Sequence, residues 1–189
     1  MATGHGKRFG NNKLMADFLG KPLIQWALDA TYNIFSHRIV VTRHTEIRDL
    51  CIYQNVPVIL HNLPNRNDTI RLGLSKLKND INLCAFLPAD QPLINQITLK
   101  SMLDAAMESP DYIYRAAYKD TSASPVIFPE KYFDELLALS AGQGGNIVIK
   151  NHLDCIKNYS VSFPYELQDI DTKEDLDNLI LTYTNSINK

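Results

Sequence analysis

Leu83-Cys84-Ala85-Phe86-Leu87 is a run of five apolar residues, and Pro88-Ala89-Asp90-Gln91-Pro92 follows it without a break. A continuously apolar stretch of this length reads as a strand covered on both faces, the pattern of a parallel sheet packed between helices. The proline-bracketed turn ends the strand and leaves one carboxylate, Asp90, at its carboxyl end. Ligands of open α/β sheets bind beyond that end of the strands. One short segment therefore argues for a fold class and for a first site residue.

Outward from this run, helical and extended segments alternate. Toward the amino end, Leu23, Trp26, Ala27, Ala30 and Ile34 repeat at helical spacing behind Pro22, which suits a first turn. Arg38 to Thr42 and Val56 to Leu60 read as strands. Between them Thr45 can cap a helix that turns Ile47, Leu50 and Cys51 inward. A further helix carries Ile70, Gly73, Leu74 and Leu77 on one face. Toward the carboxyl end, Leu99, Met102, Leu103 and Ala106 mark a helix. Extended segments follow near 112–117 and 125–128, then a helix opened by Pro129. A last helix starts at Thr172-Lys173-Glu174-Asp175, a sequence resembling a capping box. This alternation predicts one α/β domain over 1–189, a three-layer αβα Rossmann-like arrangement with a mostly parallel sheet.

Composition narrows the function classes. Apolar residues make up 45% of the 189 residues and charged residues 21%, with a net charge of −2. These are values of a globular protein with no general attraction to nucleic acid. No apolar run reaches the length of a bilayer crossing and no basic-then-apolar leader precedes the first motif, so a cytoplasmic protein without a membrane partner is expected. Cys51, Cys84 and Cys155 are far apart, in apolar segments, and read as reduced core thiols.

The opening segment Ala2-Thr3-Gly4-His5-Gly6-Lys7-Arg8-Phe9-Gly10-Asn11-Asn12-Lys13-Leu14 has a different character. Gly4, Gly6 and Gly10 let backbone amides approach an anion closely, and Lys7, Arg8 and Lys13 add three cations. Such a loop matches a triphosphate in sign, although its spacing is neither that of a Walker A loop nor G-x-G-x-x-G. Phosphate-binding loops normally follow a strand, whereas only Met1, Ala2 and Thr3 precede Gly4. The first strand is therefore expected to be truncated or very short. Asp169 and Asp171 flank Ile170 just before the last helix, where an extended backbone turns both to one side.

Taken together, Gly4-x-x-x-Arg8-x-Gly10-x-x-Lys13-Leu14, Gly20-Lys21-Pro22-Leu23, Ala89-Asp90-Gln91-Pro92-Leu93, Pro125-Val126-Ile127-Phe128 and Asp169-Ile170-Asp171-Thr172 resemble the MobA-like nucleotidyltransferases. Within that group the chain is most similar to the molybdenum cofactor cytidylyltransferases, the MocA type. The resemblance implies the fold of the nucleotide-diphospho-sugar transferases. It also implies an Mg²⁺ cofactor held by Asp90 and Asp171, and a nucleotide held by Ala2, Thr3, Gly4, Gly6, Lys7, Arg8 and Lys13. Arg8 and Lys13 would stabilise charge on the triphosphate. The family's serine-rich stretch before R-x-G-L is represented here by Asn67, Asp68 and Thr69 ahead of Arg71-Leu72-Gly73-Leu74. These residues, with Arg71, can hold the base or cap the helix.

The acceptor segments depart from the family pattern. Where the family commonly has G-D-x-G-x-R, this chain has Gly142 and Asn146 in place of the charged residues, and Ser122-Ala123-Ser124-Pro125 replaces Gly-His-Pro or Gly-Asn-Pro. The expected activity is Mg²⁺-dependent transfer of CMP from CTP to a pterin-type phosphate acceptor, with release of pyrophosphate. A molybdoenzyme or its maturation factor is the expected protein partner. Two other readings stand beside it. One is a guanylyl or sugar- or alcohol-phosphate nucleotidyltransferase of the same fold. The other is a noncatalytic nucleotide-binding regulatory protein.

Overall fold

The structure is a computed structural model that describes residues 1–4, 9–10 and 12–187. Lys13–Met15 form one 3-10 turn, followed by a two-residue hairpin of β1 (Asp17–Phe18) and β2 (Lys21–Pro22). Leu19 and Gly20 close that hairpin at positive φ. Pro22 leads directly into α1 (Leu23–Ala30), which buries Leu23, Ile24, Ala27 and Leu28. Next come β3 (Val40–Thr42), α2 (Thr45–Tyr53) and β4 (Val58–Leu60). β3 and β4 pair in parallel, Val40 opposite Val58, with α2 as the required crossover.

The opening residues lie in the sheet. Ala2 bridges Thr42 in parallel, and its N–H donates to Val41 O at 3.0 Å. On the other side the Met1 nitrogen donates to Leu87 O, and Ala89 N–H donates back to Met1 O at 3.0 Å. That is a parallel pattern against the extension of β5 (Leu83–Phe86), which follows α3 (Arg66–Leu77). The opening segment thus lies between β3 and β5.

After α4 (Gln96–Glu108) come β6 (Ile113–Tyr118), β7 (Thr121–Pro129), α5 (Phe133–Leu137), α6 (Asn146–Asn151), β8 (Ile156–Ser160) and α7 (Lys173–Ile187). The sheet continues in the order β5-β7-β6-β8. β8 runs parallel to β6, while β7 runs antiparallel to both its neighbours. β7 is thus the reversed strand of a mostly parallel sheet. The cause is local: Lys119 and Asp120 form a two-residue turn, with Lys119 at φ 52°, and so tight a connection joins only antiparallel strands.

Neighbouring residues of β7 serve different clusters, as strand alternation requires. Phe128 packs with Ile70, Leu74, Leu136 and Ile149 of α3, α5 and α6, while Ile127 packs with Met102 and Ala106 of α4. Helices therefore cover both faces of the sheet. Among the described residues no helix is long and apolar enough to cross a membrane. Cys51 and Cys84 are buried free thiols, and Cys155 is half-buried.

Candidate functional site

Three oxygen atoms from two loops converge on one ammonium. Lys13 Nζ donates to Asp90 Oδ2 at 2.7 Å, Ile170 O at 2.7 Å and Asp171 Oδ1 at 3.1 Å. Lys13 comes from the 3-10 turn, Asp90 from the turn beyond β5, and Asp171 from the segment entering α7. Each position has a local cause. β5 runs out at Pro88, while Thr172 and Asp175 cap α7 reciprocally: Asp175 N–H donates to Thr172 Oγ1, and Thr172 N–H to Asp175 Oδ2. Asp171 N–H also donates to Asp175 Oδ2, which fixes the backbone that carries the Asp171 side chain.

The two carboxylate loops are also joined directly. Ile170 N–H donates to Asp90 O at 3.0 Å, and Gln91 Nε2 donates to Leu167 O at 3.1 Å. Behind them Glu166 is fully buried. Its carboxylate accepts from Thr98 Oγ1, Asn95 Nδ2 and the N–H groups of Ser162 and Phe163. Four donors compensate the cost of burying a charge and tie the 162–171 segment to the start of α4.

Burial works to lower the Lys13 pKa. The hydrogen bonds and charges of Asp90 and then Asp171 outweigh it and hold the ammonium above its usual value of 10.5. Lys13 is therefore a cation at any physiological pH. The same focus fits a hard divalent cation in its chemistry, because two carboxylates and a carbonyl are the oxygen donors that Mg²⁺ takes. Among the described residues no group of three or more His, Cys, Asp or Glu side chains surrounds a common metal position.

Beside this focus opens a cleft of about 570 Å³, whose lining includes Thr3, Gly4, Asp90, Gln91 and Asp169. Arg43, Arg66, Arg115, Ser122, Ser124 and Asn146 line it as well. A second cavity of about 680 Å³ is lined mainly by apolar side chains such as Leu28, Leu74 and Leu103, and neither Asp90 nor Asp171 borders it. The polar cleft is the site where the charged groups gather.

The structure places the other sequence-predicted residues as follows. Thr3 and Thr69 share a hydrogen bond of 2.9 Å between hydroxyls, which holds the opening loop against α3. Ala2 is a buried sheet residue. Asp68 accepts from Asn65 N–H and from Arg71, so its carboxylate caps α3 and pairs with the Arg71 guanidinium. Asn67 donates to Leu139 O and accepts from Gly142 N–H, pinning the glycine-rich 142–145 stretch to α3. Gly6, Lys7 and Arg8 lie outside the described residues.

The profile of the MobA-like NTP transferase domain matches residues 1–156, a span that holds the opening loop, Lys13 and Asp90. The chain belongs to the MobA-like NTP transferase family. Asp171 lies beyond the matched span of this MobA-like chain and is tied to it by the contacts just described. A 2-C-methyl-D-erythritol 4-phosphate cytidylyltransferase from Endomicrobium trichonymphae is 30% identical over 125 residues. That match takes in 64% of this chain and 57% of the relative's length. Among solved structures, Rv0371c from Mycobacterium tuberculosis H37Rv has a TM-score of 0.85 at 20% identity, over 95% of each chain. Molybdopterin-guanine dinucleotide biosynthesis protein A from Archaeoglobus fulgidus has a TM-score of 0.70 at 19% identity, over 97% of this chain and 96% of that one. At these identities the likeness to solved structures is one of fold.

Two groups at the site carry no sequence signal of their own. Glu166 stands in an ordinary Pro-Tyr-Glu-Leu turn and acquires its role only when α4 packs against it. Arg115 lies in a strand where an inward arginine follows no motif.

Proposed function

We propose that the chain transfers the CMP group of CTP to a phosphate acceptor and releases pyrophosphate. The observation that carries this reading is the Lys13–Asp90–Asp171 focus beside a polar cleft that Thr3 and Gly4 also line. An oxygen of the acceptor phosphate attacks the α-phosphorus. A new P–O bond forms, the bond from that phosphorus to the bridging oxygen breaks, and pyrophosphate leaves with the electron pair. The acceptor itself supplies the nucleophile, so the protein's contribution is positioning and charge neutralisation.

Asp90 and Asp171 would hold Mg²⁺, which when bound supplies Lewis-acid neutralisation of phosphate charge. Lys13 holds the two carboxylates at one point and keeps a fixed positive charge beside the opening loop. Arg8 belongs on the triphosphate by its place in the loop. Thr3 and Gly4 shape the near wall of the cleft, and Thr69 anchors Thr3. The MocA-like motifs favour a pterin-type acceptor. The cytidylyltransferase relative favours CTP as donor, and it supports a polyol phosphate as the second acceptor class. Purified protein given Mg²⁺ and each NTP, with molybdopterin or a polyol phosphate, should release pyrophosphate with CTP and one acceptor. Release with GTP alone would overturn the choice of base.

A further inference from the structure

We propose that Arg66 and Arg115, which line the same cleft as Asp90, form an anion seat for the acceptor's phosphate. The proposal rests on the nucleotidyl-transfer reading and assigns the group that recognises the second substrate.

Arg115 has the stronger signature. It lies in β6 between buried neighbours, Tyr114 and Ala116, yet it borders the cleft. The β6–β7 register shifts between Arg115 and Ala116, and such bulges re-aim a side chain and favour active-site rims. Its Nε is buried with no hydrogen-bond partner, and its one described hydrogen bond is a long 3.4 Å contact to Ser122 O. Arg115 is half-buried, and its buried Nε would be bonded if the side chain served only the fold, because an unmatched buried donor costs free energy. A guanidinium that borders a cleft and is so loosely bonded by the fold suits an acceptor that arrives from outside.

Arg66 lies in the first turn of α3 on the same cleft, with no ion pair among the described residues. Its aliphatic stem crosses Gly144 so closely that a Cβ there would come within 3.0 Å of Arg66 Cδ. Gly145 is equally constrained, by the Phe128 ring at 3.3 Å. The glycine run is therefore a floor that admits an arginine stem. The cleft carries two carboxylates, Asp90 and Asp169, against three guanidinium groups, Arg43, Arg66 and Arg115, and Asp90 is already bonded to Lys13. Two guanidinium forks match a phosphate dianion in charge and in donor geometry, better than they match a singly charged carboxylate.

The test titrates inorganic phosphate by calorimetry into the full chain, saturated with CTP and without divalent metal, at constant ionic strength. Arg115→Ala and Arg66→Ala should each weaken phosphate binding about tenfold or more, the effect of losing charge-assisted hydrogen bonds, with CTP affinity unchanged. Gly144→Ala keeps both charges but displaces the Arg66 stem, and should weaken phosphate binding as well. If Arg115→Ala does not fold, Arg66→Ala and Gly144→Ala decide. Unchanged phosphate affinity in the variants would overturn the seat. Equal losses for phosphate and CTP, or acetate binding as tightly as phosphate, would overturn it too. Wild-type protein that takes phosphate through these arginines but binds no CTP would uphold the seat and overturn the nucleotide reading.

Discussion

Lys13 Nζ lies 2.7 Å from Asp90 Oδ2, a contact between residues 77 positions apart that links the opening loop to the end of β5. The same ammonium reaches Asp171, so the site is held by one cation between two carboxylates. Its energetics follow from exposure. The Lys13 side chain is 8% exposed, but those of Asp90 and Asp171 are 24% and 40% exposed, so water screens part of the attraction.

Lys13→Met should destabilise the protein by about 1–2 kcal/mol, less than a fully buried pair would cost, because the two carboxylates are left facing each other partly in solvent. Denaturant unfolding measures this. Adding Asp171→Asn should recover part of the loss, and a double variant as unstable as the sum of the single changes would contradict the coupling. Mg²⁺ should raise the melting temperature of Lys13→Met more than that of wild type.

The pH dependence of that contribution has a definite sign. The folded pKa of Lys13 is raised, so its contribution is fully present below 10.5 and is lost only as pH rises through the folded value above it. The stability difference between wild type and Lys13→Met should therefore stay constant from about pH 7 to 9.5 and shrink at higher pH. A difference that disappears near neutrality would contradict the raised value.

Glu166→Ala removes the acceptor for four donors and leaves several of them unmatched inside the protein. The expected cost is about 2–4 kcal/mol by denaturant unfolding. Because the 162–171 segment carries Asp171, turnover should fall in the folded fraction as well. A stability change below about 0.5 kcal/mol, the size typical of a surface site, would contradict the role given to it.

Thr69→Val deletes the hydroxyl bonded to Thr3 while keeping volume. It should cost about 1 kcal/mol of stability and raise the KM for CTP more than it lowers kcat, since the opening loop loses its tether to α3. Steady-state kinetics separate the two parameters. A fall in kcat with unchanged KM would place Thr69 in the chemistry instead.

The legible parts of this protein were those with local causes. The 83–87 run marks β5 and delivers Asp90, and Thr172-Lys173-Glu174-Asp175 is a reciprocal cap that sets Asp171. The reversed direction of β7 rests on the two-residue turn Lys119-Asp120, which has no Asn-Gly or Gly-rich signature. The β1–β2 hairpin is too short to show a period, and β8, Ile-Lys-Asn-Tyr-Ser, is too polar to stand out. Lys13 reads from sequence as a triphosphate ligand, and only the folded chain shows the two carboxylates it holds. Asn67 and Asp68 read equally as base contacts or helix caps. Packing commits their described bonds to the 139–142 segment and to α3.

The most direct test is nucleotidyl transfer itself. CTP labelled at the α-phosphorus is incubated with the protein, Mg²⁺ and a molybdopterin-type or polyol phosphate acceptor. The label should move to one acceptor with one pyrophosphate released per transfer, and Asp90→Asn should slow this by about 10²-fold or more while the protein remains folded. Label that stays in CTP with every acceptor, or transfer by Asp90→Asn at the wild-type rate, would contradict the account.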